Sequence, residues 1–155
     1  MASLELKIPP PLVAAAIAGA MYAAAALIPP GGMVLAPGLR VWAALALAGV
    51  GACLDLAGLL AFRKAHTTVN PLTPQRSSAV VTNGIYGFTR NPMYLGLVLI
   101  LLGLAVYLAS PWALLGPVLF VAFITRFQIL PEERALAARF GASYSAYCAR
   151  VRRWL

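Results

Sequence analysis

Four long apolar runs, Pro11 to Ile28, Val41 to Phe62, Tyr94 to Ala109 and Trp112 to Leu130, leave this chain few folds to choose from. A hydrocarbon core takes about 20 apolar residues to cross as a helix. A helix also satisfies every backbone N–H and C=O without water. The runs are therefore read as four transmembrane helices of an all-α membrane protein, over about 11–28, 41–62, 94–109 and 112–130, in a single domain covering 1–155. Composition agrees: 62% of residues are hydrophobic, 10% are charged and the mean hydropathy is +0.86, outside the usual range of soluble domains. The first run has the small residues of a cleavable signal peptide. Pro29-Pro30-Gly31-Gly32 reads instead as a turn into the next run, so the first run counts as a span.

Orientation follows from where lysine and arginine sit in the short connections. Arg63, Lys64, Arg76 and Arg90 lie between the second and third spans, and Arg134, Arg139, Arg150, Arg152 and Arg153 follow the fourth. Both segments are assigned to the cytoplasm, which places both termini inside and the protein in the inner membrane. The net charge of +8 is accounted for by this bias and by anionic headgroups, so nucleic acid is not a partner. Cys53 falls within a span and Cys148 in the tail, so no disulfide is expected, and no metal-ligand spacing is present.

Polar residues gather where apolar runs stop. The loop 63–93 carries the turn signals Asn70-Pro71, Thr73-Pro74 and Asn83-Gly84 and the one histidine, His66, which is read as solvated rather than catalytic. It ends in Gly84-Ile85-Tyr86-Gly87-Phe88-Thr89-Arg90-Asn91-Pro92-Met93-Tyr94-Leu95-Gly96, with a proline where the third span begins. A helix start of that kind exposes N–H groups suited to an anionic ligand group. Ser110-Pro111 joins the third and fourth spans so tightly that they form an antiparallel hairpin. That brings Asn91 to Gly96 beside Pro131-Glu132-Glu133-Arg134, and the two clusters read as one composite site. Beyond Pro131, Leu136, Phe140, Tyr144, Tyr147, Val151 and Trp154 recur at helical spacing and predict an amphipathic tail helix over 131–153, with an interruption possible at Gly141.

Ionisable groups in a span are costly and each needs a reason. Asp55 lies near the middle of the second span and Arg126 about one turn from the end of the fourth. Arg126 is free to meet Asp55, Glu132, Glu133 or a ligand carboxylate. Asp55 is open to a neutral packing role or to transport. Adjacent helix positions point about 100° apart, so Glu132 and Glu133 divide their work: one faces a ligand while the other pairs with Arg90 or Arg126.

Thr89-Arg90-Asn91-Pro92-Met93-Tyr94-Leu95-Gly96, followed by Glu132-Glu133, Leu136, Phe140-Gly141, Tyr144, Tyr147 and Arg150-Val151-Arg152-Arg153-Trp154, resembles the integral-membrane methyltransferases. That superfamily joins isoprenylcysteine carboxyl methyltransferases and phospholipid N-methyltransferases. The likeness runs from about Thr67 to the end of the chain and is strongest toward bacterial members of unassigned function. It implies S-adenosyl-L-methionine as cofactor, S-adenosyl-L-homocysteine as product, and a membrane lipid or small hydrophobic molecule as acceptor. On the same resemblance Tyr86, Arg90, Asn91, Pro92, Tyr94 and Gly96 line one side of the cofactor pocket and Glu132 and Glu133 the other, with Arg90, Glu132 and Glu133 as the catalytic set. Gly49-Val50-Gly51 looks like the Gly-x-Gly that phospholipid methyltransferases carry in an earlier span, and adds Gly49 and Gly51 to the cofactor set, although such a motif serves close helix packing equally well.

One position departs from the isoprenylcysteine branch, where His generally stands in place of Asn91. Asparagine keeps a hydrogen bond and loses a titratable group, which moves the expectation away from a prenylated-cysteine acceptor. Two other classes are compatible with the residues: a membrane reductase of the sterol-reductase-like fold, and a non-enzymatic membrane subunit or transporter with Asp55 at its midplane.

Overall fold

Prolines set where most of the helices begin. The protein is seen in a computed structural model that describes residues 4–28, 36–65 and 79–155. α1 (Pro10–Leu27), α2 (Pro37–Lys64) and α3 (Pro92–Leu108) each start with proline in the first turn, where its missing N–H costs nothing. A short 3₁₀ turn, Pro111–Leu114, leads into α4 (Leu115–Ile124). A π turn over Thr125–Ile129 joins α4 to α5 (Leu130–Phe140), and α6 (Ala142–Arg150) follows. The described residues contain no strand. The turn signals at Pro29 to Gly32, Asn70-Pro71 and Thr73-Pro74, together with His66 and Arg76, lie outside the described residues.

Among the described residues, three helices are long and apolar enough to cross a bilayer: α1, α2 and the continuous helical stretch Pro111–Phe140. α3 is as apolar but has 17 residues, roughly 25 Å at 1.5 Å per residue, against a core of about 30 Å. α2 runs past both ends of the expected span, because nothing between Pro37 and Lys64 breaks a helix.

The fourth span does not stop at Leu130, and 131–153 is not one helix. Proline lacks an N–H and crowds the carbonyl four residues back. At Pro131 the preceding π turn absorbs that crowding, and the Phe127 carbonyl accepts the Leu6 N–H at 3.0 Å. The helix therefore passes straight through Pro131. It breaks at Gly141, whose φ of 50° and ψ of −124° suit glycine alone. α6 then ends at Arg150, and Val151 is extended (φ −121°, ψ 129°).

α3 is the central helix, packed against α2 on one flank and against α1 and α4 on others. Leu101, Ala105, Phe120, Ile124 and Ile129 are buried between them with Met21 of α1. Large apolar side chains such as Leu12, Trp42, Leu45 and Val118 point outward, as lipid-facing helices require. α2 and α3 meet through small residues. A Cβ on Gly51 would lie 2.6 Å from the Gly96 carbonyl oxygen, one on Gly103 would lie 2.8 Å from that of Ala44, and one on Gly96 would strike the Asp55 carboxylate. Gly49 has nothing within 4 Å of its would-be Cβ. The hairpin between α3 and the next helix turns at Ala109, which adopts a left-handed conformation (φ 48°) and donates its N–H to Val106 at 3.2 Å.

Gly96→Ala and Gly103→Ala should each force α2 away from α3 and destabilise the fold by about 1–3 kcal/mol, read as a lower heat-aggregation midpoint in detergent. Gly49→Ala should leave that midpoint unchanged.

Candidate active site at one end of the bundle

The loop entering α3 builds one wall of the site. Gly84, at φ +62°, opens a 3₁₀ turn over Gly84–Gly87 that buries Tyr86. The Tyr86 ring stands edge-on to Phe62 of α2, with centroids 5.3 Å apart. Burial raises the Tyr86 phenol well above its usual range. Asn91 is extended because proline follows it, and its N–H bonds the Thr89 hydroxyl at 3.2 Å.

The chain's last residues are stitched to this loop. The Arg90 N–H donates to the Arg152 carbonyl at 3.0 Å. The Arg153 carbonyl accepts from the Asn91 side-chain amide at 2.9 Å and from the Thr89 hydroxyl at 3.3 Å. Thr89 is only 1% exposed, so the match of its hydroxyl to partners on both sides is needed. From α6, the Tyr147 hydroxyl donates to the Tyr86 carbonyl at 2.8 Å. Burial pushes the Tyr147 phenol up to about 12, which keeps it a donor at neutral pH.

Glu132 and Glu133 divide as their 100° separation requires. Glu133 takes both nitrogens of the Arg153 fork, at 2.9 and 2.7 Å, and Arg90 at 3.1 Å. The pairing raises the Arg153 guanidinium above its already high ordinary value. Arg90 also contacts the Cys148 sulfur. Glu132 turns the other way, and its Oε1 accepts the Tyr94 hydroxyl at 2.7 Å and the Gln128 amide at 2.6 Å. Arg126 joins neither carboxylate and is not paired with Asp55. It meets Glu5 at 2.6 Å, as Arg134 does through the other oxygen.

Between these walls lies a cavity of about 650 Å³, a size typical of small-molecule sites. Tyr86, Arg90, Asn91, Tyr94 and Glu132 line it, and Glu133 lies behind them. Pro92, Gly96, Gly49 and Gly51 do not line it: Pro92 is buried, and Gly51 and Gly96 bring α2 against α3. Several contributors were missed as site residues in the sequence. Asp55 lines the cavity, and its buried Oδ1 has no partner among the described residues. Its presence in an apolar run was the available signal. Pro9 to Pro11 at the start of α1, Leu56, Leu59 and Phe62 of α2, and Leu136 and Tyr147 of the tail also line the cavity. Nothing in the local sequence of the α1 and α2 residues marked them.

A cavity bounded by apolar helices, faced by Asp55 and Glu132 and closed by the chain's own tail has the make-up of a membrane enzyme site. Comparison with known proteins gives its class. The family model of phospholipid methyltransferases matches residues 39–143, more than half of the chain, and the protein belongs to that family of membrane methyltransferases. An uncharacterised protein of Haemophilus influenzae is 46% identical over 63 residues, which is 41% of this chain and all of that protein. No solved structure matches the chain significantly.

Glu133→Gln should weaken the junction between α5, Arg90 and the C-terminal segment by about 1–3 kcal/mol, the range for a hydrogen bond to a charged group. The check is limited proteolysis in detergent, with faster release of the C-terminal residues than in the wild type and no such change for Lys64→Gln.

Proposed function

We propose that this protein is an S-adenosylmethionine-dependent methyltransferase acting on a lipid or other hydrophobic acceptor at the cytoplasmic face of the membrane. The observation that carries this reading is the pairing of two carboxylates, Asp55 and Glu132, with tyrosine rings in one cavity whose remaining wall is apolar.

The residues fit the cofactor's chemistry. It carries a sulfonium, an ammonium and a carboxylate, and the cavity offers both kinds of partner. The Asp55 carboxylate lines the cavity with its unpartnered Oδ1 packed against Gly96 of α3, and a carboxylate so placed calls for a polar or cationic ligand group. Tyr86, Tyr94 and Tyr147 present aromatic surface of the kind that attracts cations. Arg90 and the first turn of α3, whose leading N–H groups have no intrahelical partner, suit a carboxylate. When bound, the cofactor supplies a methyl group on a positively charged sulfur that leaves as a neutral thioether.

The chain's own residues then have three tasks. Tyr94 and Gln128 converge on Glu132 Oε1 and fix how that carboxylate faces the cavity. The α6 tail, held by Glu133, Arg90 and Arg153, excludes water, and alignment in a dry site lowers the barrier of a displacement whose donor is already activated. Glu132 and Asp55 are placed to accept a proton from an acceptor that must lose one.

The acceptor enters from the bilayer. Leu56 lines the cavity and is also 55% exposed on the outer face of α2. α1 and α2 both pack on α3, and both contribute to the cavity wall, which places the entry between them. The basic residues Arg63 and Lys64 at the end of α2, with Arg90, Arg134 and Arg153, lie at the same end of the bundle as the site, which supports a cytoplasmic opening.

Calorimetric titration of detergent-purified protein with S-adenosylhomocysteine should show saturable binding. Glu132→Gln and Asp55→Asn should each weaken it about ten-fold, equivalent to roughly 1.4 kcal/mol, while Lys64→Gln should not. Absence of binding by a folded wild-type protein would overturn the reading. Incubation of membranes with a heavy-methyl donor, followed by mass spectrometry of extracted lipids, identifies the acceptor.

A further inference from the structure

The face of the bundle formed by α1 and α4 carries a second recess that methyl transfer does not use. Its volume is about 620 Å³, and Leu12, Ala16, Leu119, Ala122, Phe123 and Phe127 are among its walls, with no charged residue among them. At one end the chemistry changes abruptly. Ile8, which also lines the recess, follows Lys7, which is exposed. The Arg126 guanidinium lies 5.3 Å from the centre of the Phe127 ring. Arg134 joins the cluster through Glu5, which holds both arginines at 2.6 Å. Three cations against one carboxylate leave the mouth of the recess with a net charge of about +2 by formal count.

The segment carrying Glu5 and Lys7 is firmly placed. The Leu6 N–H bonds the Phe127 carbonyl that Pro131 leaves free, at 3.0 Å, and Leu6 adopts φ 55°, a conformation that costs energy for leucine. The backbone of Lys7 is thereby held next to Ile8, a wall of the recess.

We propose that this recess is a binding site for an anionic membrane phospholipid, distinct from the cavity that holds Asp55 and Glu132. An acyl chain lies along the apolar channel between α1 and α4, and the phosphate sits among Lys7, Arg126 and Arg134. The charge step at the mouth and the apolar walls behind it match the two ends of such a lipid, whereas a zwitterionic headgroup gains less from a net positive mouth. The same helix turn connects the site to the cavity. Ile8 and Leu12 face the recess while Pro9, Pro10 and Pro11 line the cavity, so a bound lipid steadies one wall of it.

The test is native mass spectrometry of the full chain released from micelles doped equally with phosphatidylglycerol and phosphatidylcholine of matched acyl chains. Two variants separate the two halves of the site. Lys7→Gln removes a charge that is not part of the Glu5 bridges, and Ala122→Trp fills the channel. The wild type should retain phosphatidylglycerol over phosphatidylcholine. Lys7→Gln should reduce that retention about five-fold, the equivalent of roughly 1 kcal/mol per basic residue at a membrane surface, and Ala122→Trp should abolish it. Each variant is first checked for an unchanged heat-aggregation midpoint in detergent without added lipid. If Ala122→Trp fails that check, Ala16→Leu takes its place. Equal retention of the two lipids by the wild type, or full retention by either folded variant, overturns the proposal. Competition by inorganic phosphate as effective as by the lipid also overturns it, since that would mark a free-anion site.

Discussion

Glu133 holds two guanidinium groups at once, and the closure of the cavity depends on it. Arg90 arrives from the loop before α3 and Arg153 from the end of the chain, and both meet one carboxylate on the first turn of α5. Side-chain exposures of 13% for Arg90 and 18% for Glu133 put the pair in a partly dry setting, where a charge left alone is costly. With that junction formed, the carbonyls of Arg152 and Arg153 fall within reach of the Arg90 N–H, the Asn91 amide and the Thr89 hydroxyl. The tail becomes a lid tied by backbone and side chain together. Nothing on the apolar surface of the helices could supply such direction, because burial in lipid favours apolar surface without specifying orientation.

The same junction explains why two adjacent glutamates are needed. The helix turns Glu132 by about 100° from Glu133, into the cavity, where Tyr94 and Gln128 hold it. One carboxylate is consumed by structure while its neighbour faces the cavity in a fixed pose. The π turn just before them belongs to this arrangement. It lets the helix carry Pro131 without breaking and gives the freed Phe127 carbonyl to Leu6, which ties the start of the chain to the same end of the bundle. α1, which contributes no motif, becomes a wall of the cavity on one side and of the apolar recess on the other.

Much of this is legible in the sequence alone. Proline at the start of α3 and the short Ser110-Pro111 link were enough to bring Asn91 and Glu132 to one end of the bundle, because each acts through local backbone geometry. The tail was less legible. Pro131 reads as the start of a separate tail helix, and only the π turn, sustained by packing of Gln128 and Ile129 in the interior, lets the fourth span run on into it. Gly49-Val50-Gly51 reads as a motif, yet Gly51 meets Gly96 while Gly49 meets nothing, a distinction set by which face of α2 lies on α3.

By itself the sequence determined that this chain is helical and membrane-embedded, where its polar clusters lie and that it resembles membrane methyltransferases. Those properties follow from hydropathy, proline positions and short motifs, all of which act within a few residues. Only the tertiary structure decided that Arg126 belongs to Glu5 and not to Asp55, that Asp55 faces the cavity unpaired, and that Glu133 rather than Glu132 is the clamp. The reason is physical. Ion pairs and cavity walls are made by side chains far apart along the chain, and their partners are set by how helices pack, which apolar composition leaves open.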